Sequence, residues 1–125
     1  MELCLGTVQF GMDYGISRQK QPTVEQAVNM LDFATQNGIN KIDTANAYGT
    51  AEDVVGCFLQ KKTIVRDKLW IISKFTPNIL DDASEDKYYG IMKQNLEKSL
   101  TRLHLDYLDT YLLHSARYVY NDAII

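Results

Sequence analysis

The chain has 125 residues, of which 46% are hydrophobic, 23% are charged and only 2 are proline. This composition is typical of one folded globular unit with a substantial core, and it argues against intrinsic disorder. The formal charge of -3 at pH 7 offers no basic surface for phosphates or anionic lipid, so non-specific binding to nucleic acid or a membrane is disfavoured.

The first residues and the two cysteines predict a cytoplasmic protein. The opening MELCLGTVQFGM lacks a basic segment followed by a long apolar run, and no stretch approaches the roughly 18 apolar residues that a bilayer requires. Cys4 and Cys57 form no CxxC pair, which argues against a disulfide framework and a zinc knuckle. Zinc bound jointly by these cysteines, His104 and His114 is disfavoured, since metal ligands usually lie at tight local spacings. We expect no metal.

The predicted elements alternate in the order β-α-β-α-β-α-β. The first strand covers residues 3–7, and a glycine-bearing loop leads to Thr23, which fits a capping box with Gln26 at the start of a helix. Asn37-Gly38 predicts the left-handed end of that helix. Its apolar residues recur at three- and four-residue steps on one face: Val24, Ala27, Val28, Leu31 and Ala34.

The second and third strands flank the second helix. The second strand covers residues 41–43, and a loop through Tyr48 and Gly49 follows it. Thr50 and Asp53 flank the start of a helix whose inward residues are Val54, Val55, Phe58 and Leu59. The third strand, residues 69–75, is nearly continuously apolar, which is typical of a central parallel strand covered on both faces.

The last helix and strand complete the alternating pattern. Ser84, with Glu85 and Asp86, opens the third helix, and the helix dipole explains these acidic residues. Its apolar residues at helical spacing are Tyr88, Ile91, Met92, Leu96, Leu100 and Leu103. The fourth strand covers residues 108–114. The alternation predicts a parallel α/β sheet with right-handed crossovers, but it leaves open whether the sheet is doubly wound or part of a barrel.

Four polar side chains fall at or just after the carboxyl ends of successive predicted strands: Asp43, Tyr48, Lys74 and His114. That edge carries the active site in parallel α/β proteins, so we expect the four to converge. Each has an ordinary explanation by itself, such as a turn cap for Asp43 or packing for Tyr48. Their joint placement favours one site.

These four side chains together suit the reduction of a carbonyl group. Asp43 is the natural counter-ion for Lys74, which would be costly to bury unpaired. The Lys74 ammonium stabilises the phenolate of Tyr48 and makes this weak acid a plausible proton donor. His114 can donate a hydrogen bond to a substrate carbonyl oxygen, while a cofactor supplies the hydride.

The segment GINKIDTANAYGTAEDVVG, residues 38–56, resembles the signature of the aldo-keto reductase family around its catalytic aspartate and tyrosine. The first predicted strand and its turn, LGT, resemble the cofactor-contacting turn of that family. Ser73-Lys74 resembles the family's lysine strand, and DYLDTYLLH, residues 106–114, its histidine strand. The resemblance covers almost the whole chain and implies parallel β/α units that form the first half of a TIM (β/α)8 barrel.

The resemblance also implies roles for individual residues. The catalytic tetrad would be Asp43, Tyr48, Lys74 and His114. The residues near the nicotinamide end of NADP(H), which is favoured over NAD(H), would be Gly6, Thr7, Val8 and Asp43. Gly6, Gly11 and Gly15 do not form a Rossmann phosphate loop and are interpreted as loop glycines.

Length sets this chain apart from the family. A complete eight-stranded barrel takes about 250 residues, whereas residues 1–125 supply four strands, so we interpret them as a single incomplete domain. In the family, the remaining strands carry the stacking partner of the nicotinamide and the grip on the adenosine phosphate. We therefore expect the isolated chain to be inactive and to self-associate through open sheet edges.

Three functions stay open at this point. The first is NAD(P)H-dependent reduction of an aldehyde or ketone, a small molecule whose identity the sequence does not reveal. The second is a non-catalytic cofactor-binding or regulatory subunit, because some proteins of this family serve as channel subunits. The third is a half-barrel fragment without function.

Overall fold

The computed structural model describes residues 2–16 and 20–124. In this part of the chain, strands and helices alternate in the predicted order, with one additional short helix in the first loop. The strands are β1 (Cys4–Gly6), β2 (Lys41–Asp43), β3 (Trp70–Lys74) and β4 (Thr110–Leu112). The α-helices are α1 (Val8–Gly11), α2 (Val24–Gln36), α3 (Ala51–Gln60) and α4 (Tyr88–Leu103).

The four strands form one parallel sheet in the order β1-β2-β3-β4, which confirms the predicted α/β class. Gly6 pairs with Asp43, and Asp43 pairs with Ile72, so β3 extends two residues past the level of Asp43. Lys74 in turn pairs with Leu112. The stagger therefore lies between β2 and β3, since β1 ends level with β2 and β4 ends level with β3.

Helix α2 begins and ends as its sequence predicts. The side chain of Thr23 accepts a hydrogen bond from the Gln26 amide at 3.2 Å, and Gln26 accepts one from the Thr23 amide at 3.0 Å. These two bonds satisfy donors that the first turn of a helix leaves unpaired. At the other end, Gly38 has a positive φ of 86°, the left-handed conformation that glycine adopts without strain.

The core lies between one face of the sheet and the helices packed on it. Burying each large apolar side chain in it stabilises the fold by roughly 1.5–3 kcal/mol. Its members are Phe10, Ala27, Val28, Leu31, Ile42, Val54, Val55, Phe58, Leu69, Ile71 and Leu103. On the opposite face of the sheet Leu112 is 41% exposed, and Ile72 is only partly buried. The expectation that β3 is covered on both faces is therefore met on its helix side alone.

Helix α4 differs from the prediction at its start and along its buried face. The residues after Ser84 form a 3-10 turn, Glu85–Lys87, and the α-helix begins at Tyr88. Ser84 thus opens the helical segment as predicted, but the first turn is 3-10 rather than α, and the Ser84 side chain forms no cap bond. Two of the buried residues of α4 are polar, Asn95 and Ser99, beside Leu103.

No helix within residues 2–16 and 20–124 is both long enough and apolar enough to cross a membrane.

Candidate active site

Three of the predicted site residues meet at the carboxyl edge of the sheet. Asp43 ends β2, Tyr48 lies in the loop after it, and Lys74 ends β3. The Lys74 ammonium donates a hydrogen bond to Asp43 Oδ1 at 2.5 Å and another to the Tyr48 hydroxyl oxygen at 3.2 Å. The stagger between β2 and β3 produces this meeting, since it carries Lys74 past Asp43 and toward the loop.

The Lys74 ammonium has a complete set of partners. Its third contact is the Thr44 carbonyl oxygen, at 2.9 Å. An ammonium has three donors, so Asp43, Thr44 and Tyr48 together satisfy it. The Lys74 side chain is only 13% exposed, and leaving such a charge without partners would be strongly destabilising.

His114 joins the other three from beyond the end of β4. Its ring stands edge-on to the Tyr48 ring, with centroids 5.6 Å apart and planes at 85°. Its Nδ1 atom is buried and has no hydrogen-bond partner among the described residues. The structure thus brings all four predicted side chains together at this edge of the sheet.

The end of β1 lies directly beside Asp43. Thr7 is fully buried, and both its amide and its hydroxyl donate hydrogen bonds to the Asp43 carbonyl oxygen, at 2.9 and 3.0 Å. Gly6 is exposed and pairs with Asp43 in register, and a Cβ built on Gly6 would have no atom within 4 Å. Val8 begins α1 and is partly buried. The assignment of these residues to a cofactor stays a prediction.

The loop that carries Tyr48 packs against α1 without a gap. A Cβ on Gly11 would lie 1.7 Å from the Tyr48 carbonyl oxygen, so only glycine fits there. Gly49 has a positive φ of 58°, and the Thr50 amide donates to the Gly11 carbonyl oxygen at 3.1 Å. The interpretation of Gly11 as a loop glycine was wrong, because it ends a short helix and allows this close contact. No local signal in the sequence indicates it.

A polar network beneath the site was also not predicted from the sequence. The Asn46 amide donates to the Lys74 carbonyl oxygen at 3.3 Å, and the Asn46 side chain accepts a hydrogen bond from the Thr76 hydroxyl at 2.8 Å. Asn95 bonds Thr76 in turn, and the Tyr111 hydroxyl donates to Asn95 at 3.0 Å. The spacing of Asn95 and Ser99 on the apolar face of α4 was the available signal.

Burial raises the pKa of Tyr111 to about 12, so this hydroxyl stays protonated, and a donor in the network, beyond the ordinary tyrosine pKa of about 10. Its partners lie on the helix side of β4, away from the tetrad. Tyr111 is therefore part of the support of the site.

The two cysteines lie on different elements, Cys4 in β1 and Cys57 in α3. Cys4 and Cys57 are both exposed and free. Within residues 2–16 and 20–124, no three histidine, cysteine or acidic side chains are grouped so that they could hold a metal ion.

The chain matches the model of the Aldo/keto reductase family over residues 2–122. It is 36% identical over 101 residues to glyoxal reductase of Bacillus subtilis, and this alignment covers 81% of this chain and 34% of that protein. It is 34% identical over 90 residues to methylglyoxal reductase DkgA of Salmonella typhimurium, and this alignment covers 72% of this chain and 29% of that protein.

A solved structure has the same fold. The aldo-keto reductase from Klebsiella pneumoniae in complex with NADPH aligns with a TM-score of 0.64 and 33% identity, over 89% of this chain and 34% of that one. The chain thus spans about a third of the length of these three proteins. Its four parallel strands and the helices between them correspond to part of a (β/α)8 barrel.

Proposed function

The chain belongs to the aldo/keto reductase family, and from that premise we propose that the whole protein reduces an aldehyde or ketone to an alcohol, with NADPH as the hydride donor. The observation that supports this most directly is the contact of Lys74 with both Asp43 and Tyr48, 2.5 and 3.2 Å from the ammonium nitrogen. A tyrosine beside a fixed ammonium is an acid arranged to give up its proton.

Each side chain then has one task in the reaction. Tyr48 donates its hydroxyl proton to the carbonyl oxygen as negative charge develops there, and the Lys74 ammonium stabilises the phenolate that remains. Asp43 balances the charge of Lys74 and holds its side chain. His114, edge-on to Tyr48, donates a hydrogen bond that orients the carbonyl oxygen.

The end of β1 fits the nicotinamide end of NADPH. When bound, NADPH supplies the hydride that reduces the carbonyl carbon. The fit rests on Gly6, which is exposed beside Asp43 and has open space where a side chain would project. Thr7 contributes indirectly, because its two hydrogen bonds to the Asp43 carbonyl hold that residue, and Val8 lies next to it at the start of α1.

Small aldehydes are the first substrates to test. Two of the relatives are named for the reduction of glyoxal and methylglyoxal, and each matches at least 72% of this chain. A non-catalytic role in the same fold is the alternative, and the complete set of contacts around Lys74 favours the enzyme. The free, exposed Cys4 and Cys57 favour a reducing compartment such as the cytoplasm.

Replacing Tyr48 with phenylalanine is the decisive test of the reaction. We expect the full translation product of the gene to oxidise NADPH in the presence of glyoxal, and Tyr48→Phe to lower kcat by roughly 10²- to 10⁴-fold with NADPH affinity retained. Absorbance of NADPH gives the rate, and quenching of protein fluorescence gives the affinity.

The matched control for this test is Tyr120→Phe, which removes a hydroxyl from a side chain that is 93% exposed. This variant should retain the kcat of the unmodified protein. If Tyr48→Phe retains it too, Tyr48 is not the acid.

Substitution of Gly6 tests the cofactor position independently of turnover. Gly6→Ala should leave stability nearly unchanged, because the added Cβ meets no protein atom. It should weaken NADPH binding at least about tenfold, since a methyl group would occupy space proposed for the nicotinamide end. Equal NADPH affinity of Gly6→Ala and the unmodified protein would place the cofactor elsewhere.

A further inference from the structure

One ionisable side chain is buried more deeply than the tetrad but takes no part in the proposed reaction. Glu52, in the first turn of α3, is 1% exposed. Glutamate is almost never buried to this extent without specific partners, because the loss of hydration is costly. Here Oε1 accepts a hydrogen bond from the Ser73 hydroxyl at 2.6 Å, and Oε2 lies 3.4 Å from Arg102 Nη1.

The Ser73 bond connects Glu52 to the residue that directly precedes Lys74. Ser73 is itself fully buried. Successive side chains of a strand point to opposite faces of the sheet, so Glu52 holds Ser73 from the helix side while Lys74 projects on the other face. The bond between Glu52 and Ser73 therefore anchors the residue next to Lys74 on the helix side of β3.

Glu52 is also tied to the loop that carries Tyr48. The Ala51 amide donates to the Tyr48 carbonyl oxygen at 3.0 Å, so the first turn of α3 continues directly from that loop. Arg102 reaches from α4 to Glu52 and, at 3.5 Å, to the Asn46 carbonyl oxygen. The close approach of the two helices depends on Gly56, where a Cβ would lie 2.2 Å from the Arg102 carbonyl oxygen.

We propose that Glu52 is a positioning residue for the proposed reaction. Its carboxylate joins the Tyr48 loop, through α3, to the end of β3 that carries Lys74, and so it sets the separation of the proton donor from the ammonium. The catalytic consequence rests on the proposed function. The structural part does not, because the contacts that Glu52 makes are independent of the substrate.

Amide hydrogen exchange tests the structural part. The Asn46 amide donates to the Lys74 carbonyl oxygen and the Thr44 amide to the Ile72 carbonyl oxygen, so both report on the joint between loop and strand. Glu52→Gln keeps the shape but removes the charge that faces Arg102, and it should speed exchange at these two amides about tenfold while the amides of α2 stay unchanged. Ser73→Ala removes one bond and should act in the same direction.

The adjacent acidic residue provides the matched control. Asp53 lies in the same turn of α3 but is exposed, so Asp53→Asn removes the same charge without touching the joint. The Asn46 and Thr44 amides of this variant should exchange at the same rate as in the unmodified protein. Two results would overturn the proposal. Faster exchange at all amides of Glu52→Gln and Ser73→Ala would indicate general destabilisation. Faster exchange at the Asn46 and Thr44 amides of Asp53→Asn would indicate an effect of charge alone.

Kinetics test the catalytic consequence in the full translation product. Glu52→Gln should lower kcat about tenfold with KM for glyoxal unchanged, because misplacement of Tyr48 relative to Lys74 affects the transition state more than binding. An unchanged kcat together with faster exchange at Asn46 would overturn the positioning role. If the unmodified protein reduces no aldehyde, the proposed function fails, while the exchange data still decide whether Glu52 holds the joint.

Discussion

Lysine suits position 74 because three different acceptors surround its side-chain nitrogen. A carboxylate, a backbone carbonyl and a phenol oxygen lie within 2.5 to 3.2 Å of Nζ. An ammonium can donate to all three, whereas the flat guanidinium of arginine is suited to paired acceptors in one plane. The three bonds leave the side chain little rotational freedom. The position of the charge relative to Tyr48 is therefore a property of the folded protein before any substrate binds.

Tyr111 should make stability depend on pH in the alkaline range. Burial raises its pKa to about 12 in the folded chain, above the value of roughly 10 in an unfolded one. The folded state then holds this proton more tightly, so the stabilisation is fully present below about pH 10 and is lost as the pH rises to about 12. We expect the free energy of unfolding to fall over this interval, and Tyr111→Phe to reduce the slope.

Urea unfolding at several alkaline pH values measures this slope. Burial also raises the pKa of Tyr118. Because Tyr118 is present in both proteins, its contribution to the slope cancels in the comparison. Tyr120→Phe, at a position 93% exposed, should leave the slope as it is. Parallel curves for Tyr111→Phe and the unmodified chain would mean that Tyr111 ionises alike in the folded and unfolded states.

At the scale of secondary-structure elements, α1 and the loop after β2 act as one packed unit. Gly11→Ala would put a methyl group 1.7 Å from the Tyr48 carbonyl oxygen and 2.4 Å from the Ala51 nitrogen. Backbone atoms cannot swing aside as a side-chain end can, so we expect a loss of roughly 1–3 kcal/mol in stability. NADPH oxidation should fall at least about tenfold, because Tyr48 moves with its loop.

Gly90 offers the contrasting substitution. It lies on the exposed side of α4, and a Cβ there would have no atom within 4 Å. Gly90→Ala should therefore stabilise the chain by roughly 0.5–1 kcal/mol without a change in turnover. Thermal unfolding and the rate assay compare the two variants. Full activity in Gly11→Ala would mean that the loop tolerates displacement of Tyr48.

Local sequence signals predicted the elements whose limits depend on local chemistry. The capping box at Thr23 and the glycine at 38 mark the ends of α2, and both were found where the sequence places them. The convergence of Asp43, Tyr48, Lys74 and His114 was predictable from topology, because parallel strands bring their carboxyl ends to one edge. Family resemblance supplied their proposed roles and the choice of a barrel.

Features that depend on contacts distant in sequence were not predictable in this way. Hydrophobic periodicity counts apolar residues, so it missed Asn95 and Ser99, which are buried because Tyr111, Thr76 and Asn46 bond them. From the sequence, Gly11 cannot be distinguished from a loop glycine, and only the structure shows the Tyr48 carbonyl oxygen packed against it. The sequence indicates only that Glu52 is an acidic residue in a first helical turn, and the structure alone shows its partner on β3, Ser73.

For the molecule as a whole, the described sheet has two open edges. β1 pairs only with β2, and β4 pairs only with β3, within residues 2–16 and 20–124. Unpaired strand edges present backbone donors and acceptors to other chains. The face opposite the helices also exposes apolar side chains, with Trp70 48% and Leu112 41% exposed. Within the described residues, both edges and this face of the sheet are therefore available for contact with other molecules.

We therefore expect residues 1–125, prepared by themselves, to self-associate and to bind NADPH very weakly. Sedimentation equilibrium across a concentration series measures the association, and fluorescence titration measures the cofactor.

Leu112→Lys places a charge on β4 and should shift the chain toward monomer, since charged side chains oppose edge pairing and apolar contact. Val119→Lys adds the same charge at a residue outside the sheet that is 46% exposed, and it should leave the association unchanged. A folded monomer with micromolar NADPH affinity would show that four strands suffice for a stable site. Association that both lysine variants weaken equally would instead show that the effect is not specific to β4.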